Sequence, residues 1–370
     1  MSGHSILAPS SAARRVACPG SRGLEAQYPE EDTDASREGH AAHWVASELL
    51  KTRKDWPTQA PNGESITQEM HDGAAIYIKA VYDILKGRRL DWPSLHIEER
   101  VDISTIHPDC WGTPDAWVCD GEDLFIWDYK YGHGFVEVFE NWQLIEYAAG
   151  ILHALAVDDQ RIFVHFYIVQ PRSYHPDGAV RRWSIRASDL RAHFNILRAA
   201  EAAATGERPP LTPSPECKYC TARHACPALQ RSALSAVEMS EKSTKHDLTS
   251  VQTGNELRIL ERAAMHLDAR ITGLRVQALS MIQSGQRVPW YTAAPSVGRQ
   301  VWKNNGAAIV SMGSLMGYNL AKPVEAITPK QAIALGMDSE IVKSFSEIPR
   351  GAMRLIADDG TAARIIFGGE

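Results

Sequence analysis

No apolar run in this sequence approaches the roughly 20 residues that a membrane-spanning helix needs, so a helical membrane protein is not expected. The opening stretch, MSGHSILAPSSAARRVACPGS, lacks the continuous apolar core of a secretory signal. Both absences predict a cytoplasmic chain with no membrane partner. Cysteine is scarce, with six in 370 residues. In a cytoplasmic chain that argues against a disulfide framework and towards metal or redox chemistry. Positive charge is also in deficit, 39 Lys and Arg against 45 Asp and Glu, for a net −6. Composition alone therefore suggests no nucleic-acid binder. A site that holds divalent cations must still gather carboxylates, which the cations offset locally. No internal repeat is present.

What remains is an ordinary globular balance, 44% hydrophobic and 23% charged, in a length that suits one large domain or two modest ones. Residues 37–52 and about 67–86 read as helices, with His43, Ala46 and Leu50 along one stripe of the first. The pattern then becomes β-rich over 96–103, 113–119 and 123–130, and Asp120-Gly121 marks a hairpin between the last two. A helix over 140–155, strands over 161–170 and 180–185, and a helix near 188–204 follow. A Pro-rich connector, 205–216, leads to a group of cysteines. The polar stretch 231–250 reads as a linker between a first domain, 1–230, and an extension, 251–370. Within the extension Leu260, Ala264, Leu267, Ile271, Leu274, Ala278 and Met281 form a heptad seam, expected to pack on the body of the protein rather than in a dimer. Trp290, Tyr291, Arg299, Trp302 and Lys303 fit two packed strands better than a surface for stacking bases.

The hairpin carries the chemistry. A two-residue Asp120-Gly121 turn sets Asp115 opposite Ile126 and diagonal to Asp128, while a four-residue turn sets the two acids directly opposite. Lys130 lies two residues further along the same face. Two acids and a lysine beside the apolar run Leu124-Phe125-Ile126-Trp127 need a reason, since buried charge is costly unless paired or bound to metal. Phosphodiester hydrolysis is one reason: carboxylates hold Mg²⁺, and a lysine positions or activates the attacking water. An Asp–Lys salt bridge at a strand end explains the same spacing equally well. Gly132 and Gly134 would let a nucleic-acid backbone approach, or simply make a turn with positive φ. Basic residues gather between Arg181 and Arg231.

The ordered set Gly112-Thr113-Pro114-Asp115, Asp128-Tyr129-Lys130, and Gln143 with Tyr147 resembles the G-x-x-D, (D/E)-x-K and Q-x-x-x-Y motifs of RecB-like nucleases of the PD-(D/E)XK superfamily. Gly39-His40-Ala41-Ala42-His43 is similar to that family's histidine motif. The likeness spans about residues 5–230 and looks nearest to a phage-encoded branch akin to the CRISPR-associated exonucleases. It departs in one conservative respect, Asp128 where many members carry Glu. The resemblance implies an α/β fold with a restriction-endonuclease-like core, a mixed central sheet flanked by helices, with a C-terminal helical and mixed extension. It implies that His43, Asp115, Asp128 and the carbonyl of Tyr129 hold Mg²⁺ or Mn²⁺, that Lys130 acts at the water, and that Gln143 and Tyr147 steady the substrate strand. Glu98 or Glu99 could add an acid.

Cys217-x-x-Cys220-x5-Cys226 supplies three thiolates, and Cys18 is the natural fourth. Taken alone, this set suits zinc and an iron–sulfur cluster about equally. One cysteine before the motifs and three after resembles the iron–sulfur branch of the same family, which implies a 4Fe–4S cluster stapling the ends of the first domain. Arg14, Arg15, Arg22, Lys218 and Arg223 beside the ligands are candidates for phosphate contacts. Cys110 and Cys119 read as ordinary buried thiols. The expected function is a metal-dependent deoxyribonuclease, an exonuclease on single-stranded DNA in phage recombination or replication, working beside phage single-strand-binding or recombination proteins. The alternatives are a catalytically silent nucleic-acid-binding module and, from a different class, an iron–sulfur redox protein.

Overall fold

The apolar run that borders the hairpin acids becomes the middle strand of a sheet, because it is buried on both faces. In the computed structural model, which describes residues 5–28, 33–52, 57–157, 160–173, 175–240, 247–293, 338 and 340, the elements run α1 (Ala12–Ala17), α2 (Ser21–Glu25), α3 (Asp34–Thr52), α4 (Gln68–Arg88), β1 (His96–Ile97), β2 (Val101–Asp102), β3 (Trp111–Gly112), β4 (Ala116–Cys119), β5 (Asp123–Tyr129), α5 (Trp142–Leu155), β6 (Phe163–Val169), β7 (Val180–Arg186), α6 (Arg191–Thr205), α7 (Pro227–Ser240) and α8 (Ser250–Gln283). The main sheet has the order β1-β4-β5-β6-β7. Its β5–β6 pair is parallel, joined by the α5 crossover, and the other neighbours are antiparallel. β2 and β3 pair separately.

Alternation along β5 divides the core into two layers. Leu124 and Ile126 pack with Leu144, Ile151 and Phe166 on the α5 side. Phe125, Trp127 and Tyr129 pack with Val45, Leu49, Tyr77 and Val81 of α3 and α4 on the other. A mixed sheet flanked by helices is therefore what the chain forms. Among the described residues no helix is long and apolar enough to cross a membrane.

Several elements depart from expectation. The strand expected over 96–103 breaks into β1 and β2 because Glu98 takes a left-handed backbone (φ 52°) and its N–H turns to the carbonyl of Asp115 at 3.2 Å. The strand expected over 113–119 begins only at Ala116. The first half of the expected linker is helix α7. On α8 the packed face is His266, Ala269 and Gly273, whereas Leu260, Ile271, Leu274 and Met281 of the heptad seam are exposed. Close approach decides this: a Cβ on Gly273 would stand 2.7 Å from Arg223 Cγ, so only a very small residue fits. Trp290 and Tyr291 are exposed rather than in packed strands; Arg299, Trp302 and Lys303 lie outside the described residues. Arg181, expected in a basic cluster, is buried and donates to Gln170 Oε1 and the Val136 carbonyl. Gly132 and Gly134 are absent from the glycines with positive φ, and a Cβ at either would meet nothing.

Candidate metal and nucleic-acid site

The hairpin register is Ala116↔Trp127 through Cys119↔Leu124, which sets Asp115 directly opposite Asp128. The turn has four residues, not two. Asp120 causes this, because its Oδ1 accepts from the backbone N–H of Glu122 at 3.0 Å and of Asp123 at 2.7 Å. Asp115 Oδ2 accepts from the Tyr129 N–H at 2.6 Å, so the first acid is locked onto the strand that carries the second.

Three elements close on the pair. From α3, His43 Nδ1 stands 3.7 Å from Asp115 Oδ1, and its ring meets that of Tyr129 edge-on. His40, the competing histidine, is exposed. From the end of β5, Lys130 Nζ donates to Asp128 Oδ1 at 3.0 Å and to Gln143 Oε1 at 3.0 Å. From α5, Gln143 Nε2 returns to Asp128 Oδ1 at 3.0 Å. Asn141 fixes the start of that helix by capping the Leu144 N–H. One turn on, the Tyr147 hydroxyl donates to the Thr113 carbonyl at 3.1 Å. Gly112 makes room for it, since a Cβ there would stand 2.7 Å from the Tyr147 ring. Gln143 and Tyr147 thus hold the acids, the lysine and the Asp115 loop in place. As they stand, their polar groups serve the protein rather than reach for a strand.

Negative charge exceeds positive here. Burial, and then the charge of Asp115, pushes Glu98 up to about 7, while Glu99 turns away to His96 at 2.7 Å. Glu98 is thus the third acid, a choice that spacing could not make. Burial raises Asp128 despite Lys130. Burial also opposes charge on Asp115 and His43, but their mutual attraction wins, holding the acid low and the histidine high. Asp128 Oδ2 is buried and accepts no hydrogen bond, although the ammonium is 3.0 Å away. A third acid beside two salt-bridged ones is charge that a bound cation would offset. Among the described residues no three His, Cys, Asp or Glu side chains converge as a ready metal-binding group. As it stands the arrangement is a salt-bridged one, with Lys130 on Asp128 and His43 beside Asp115.

Cys18, Cys217, Cys220 and Cys226 line one small cavity with Arg14 and Arg223. The Cys18 cap of α1 and the Pro-rich connector meet there, with the Thr212 N–H 3.3 Å from Cys18 Sγ. Burial raises the Cys18 and Cys217 thiols and pushes Cys220 up to about 12, so without a cation they stay protonated. Cys110 is fully buried and Cys119 is half-buried.

Arg15, expected near phosphates, is instead 1% exposed. It donates to both oxygens of Glu146 at 3.2 and 3.1 Å, to Glu201 Oε1 at 2.6 Å, and to the Ala8 carbonyl at 2.6 Å. Cys110 donates to Glu146 at 3.2 Å. Nothing in the spacing of these residues signals that they meet.

A family model described as a protein of unknown function (DUF2800) matches residues 4–351.

Proposed function

The chain belongs to the DUF2800 family, and we propose that it is a metal-dependent deoxyribonuclease of the RecB-like PD-(D/E)XK kind, with a 4Fe–4S cluster at its cysteine site. The observation that carries this reading is the pairing of Asp115 with Asp128 across the hairpin, with Lys130 and Gln143 on one and His43 on the other. A structural salt bridge accounts for Lys130 and Asp128. It does not account for three acids sharing one end of the sheet, nor for the half-exposed His43 among them.

Asp115, Asp128 and Glu98, with His43 and the Tyr129 carbonyl, are the residues that would hold Mg²⁺ or Mn²⁺. The cation, when bound, polarises a phosphate and lowers the pKa of a water. Lys130 Nζ, pinned between Asp128 and Gln143, orients a water and holds a proton donor beside the scissile phosphate. Gln143 keeps the Asp128 carboxylate from rotating, and Tyr147 fixes the loop that carries Asp115. Cys18, Cys217, Cys220 and Cys226 suit four-thiolate ligation, since all four face one cavity. The cluster would tie α1 to the segment before α7 and close nearly the whole first domain into a loop.

The test is incubation of anaerobically purified full-length protein with end-labelled single- and double-stranded DNA, with Mg²⁺, Mn²⁺ or EDTA. Metal-dependent cleavage of single strands is expected, together with iron and sulfide in the protein that Cys18→Ala removes. No cleavage with either metal would sink the nuclease, and one zinc without iron would sink the cluster.

A further inference from the structure

Helix α8 is 34 residues long, and the body of the protein holds only part of it. Its buried residues are His266, Ala269 and Gly273, and Arg270 among them donates to the carbonyls of Arg223 and His224. From Ser250 to Arg262, by contrast, every residue is exposed. A helical segment of that length without packing is marginal in water. Nor is it a polar segment, since Val251, Leu257, Ile259 and Leu260 are among its exposed side chains.

The contact with the body and the heptad seam occupy different faces. Taking Leu260 as position d, the body takes positions c, f and g, with His266 and Gly273 at c, Ala269 at f and Arg270 at g. Positions a and d point away from it. Leu257 extends the seam by one position, and Leu260 is 56% exposed, Ile271 43% and Leu274 41%. Glu261, Asp268 and Arg275, the e positions on its open flank, are exposed as well. Among the described residues nothing covers this stripe.

The stripe matches its own reverse. Laid antiparallel on a second copy, with each a facing a d, Leu257 meets Met281, Leu260 meets Ala278, Ala264 meets Leu274 and Leu267 meets Ile271. Each alanine then faces a leucine, so large fills small. On the e flank Glu261 lies beside Arg275 of the copy at both ends, and Asp268 alone meets its own kind, at the two-fold axis. A parallel pair in register sets Glu256 against Glu261 and Arg270 against Arg275, like charges in both places.

We propose that α8 is the interface of an antiparallel homodimer, closed by this seam. Complementarity to its own reverse is what a two-fold contact between identical surfaces requires, and another occupant would have no use for it. The axis passes at the level of Ala269, the same turn that seats α8 on its own body. The two bodies therefore flank the helix pair on its outer faces, and the exposed first half of each helix is covered by the second half of its partner. The inference does not depend on the nuclease reading.

The test is light scattering of full-length protein after size exclusion, over a range of concentrations, with the mass of a dimer expected. Leu274→Glu changes an exposed side chain that the fold of one copy does not use, and should weaken the dimer about a hundredfold. Arg275→Glu should weaken it about tenfold, and adding Glu261→Arg to the same chain should restore it. A monomer at every concentration would overturn the proposal, and so would a dimer indifferent to Leu274→Glu. A dimer that Arg275→Glu tightens would be parallel, with Arg270 relieved of its like charge, and the antiparallel assignment would fall.

Discussion

Two charge clusters in this molecule have the same composition and opposite characters. Each contains two acids and one cation at its heart: Arg15 with Glu146 and Glu201, and Lys130 with Asp128 and Asp115. The first is sealed, with side-chain exposures of 1%, 0% and 0%. The second is open at the lysine, 25% exposed, and at the histidine beside it, 33%. Arginine suits the sealed cluster, because its fixed fork serves several acceptors in different directions without losing further conformational freedom. Lysine suits the open one, as a compact point charge whose three donors serve Asp128, Gln143 and an incoming water. Burial and the choice of cation, rather than the presence of acids, separate a staple from a working site.

The sharpest way to break that distinction is to delete each cation. Arg15→Met leaves two buried carboxylates with no counter-charge, a loss of roughly 3–5 kcal/mol. For a chain of this size that corresponds to a melting temperature lower by about 5 °C. Lys130→Met is expected to lower it by roughly half as much, because Lys130 is 25% exposed and Gln143 keeps its hydrogen bond to Asp128. Equal shifts for the two variants in a thermal melt would erase the comparison.

Asp128→Asn probes the open cluster from its acid side. The amide is nearly the same size but a poor ligand for Mg²⁺. Single-turnover cleavage should fall by about a hundredfold or more, with the fold intact and binding of DNA unchanged or tighter at low salt. A simple salt-bridge role predicts the reverse, a lower melting temperature with turnover retained in the folded fraction. Both readouts belong on one preparation.

The open cluster was legible in the sequence because its geometry is local. Strand alternation places Asp115, Asp128 and Lys130 on one face from residue numbers alone, and a four-residue spacing does the same for Gln143 and Tyr147. The errors came where a single residue redirects the backbone. Asp120 sets the turn length through two side-chain hydrogen bonds to backbone N–H groups, and Glu98 breaks its strand with a left-handed backbone whose N–H turns to the Asp115 carbonyl. The sealed cluster was illegible. Arg15 lies 131 residues from Glu146 and 186 from Glu201, and no periodicity links such positions. α8 misleads for a related reason: its conspicuous apolar stripe is exposed, while a plain set of small residues makes the contact.

The smallest effect concerns Glu146 and tests how the sealed cluster carries its surplus charge. Two carboxylates face one guanidinium, with the Cys110 thiol as the other neighbour. Burial, relieved in part by Arg15 and aggravated by Glu201, pushes Glu146 up to about 7 from its ordinary 4.5. Its folded pKa is therefore above its unfolded one, and the native state holds a proton that the unfolded chain releases across that interval. This group's stabilising contribution is complete below about pH 4.5 and is lost as pH rises through about 7. Glu146→Gln cannot ionise and keeps the side chain's shape. At pH 5, where wild-type Glu146 is protonated, the two melting temperatures should agree within about 2 °C. Towards pH 8 the wild type alone acquires a second buried negative charge, and the variant should become the more stable by a few degrees. The difference between the two melts, not either curve alone, isolates this group from the other titrating residues. A difference that stays constant from pH 5 to 8 would mean that Glu146 does not titrate there: ionised throughout if the variant differs at pH 5, protonated throughout if the two agree.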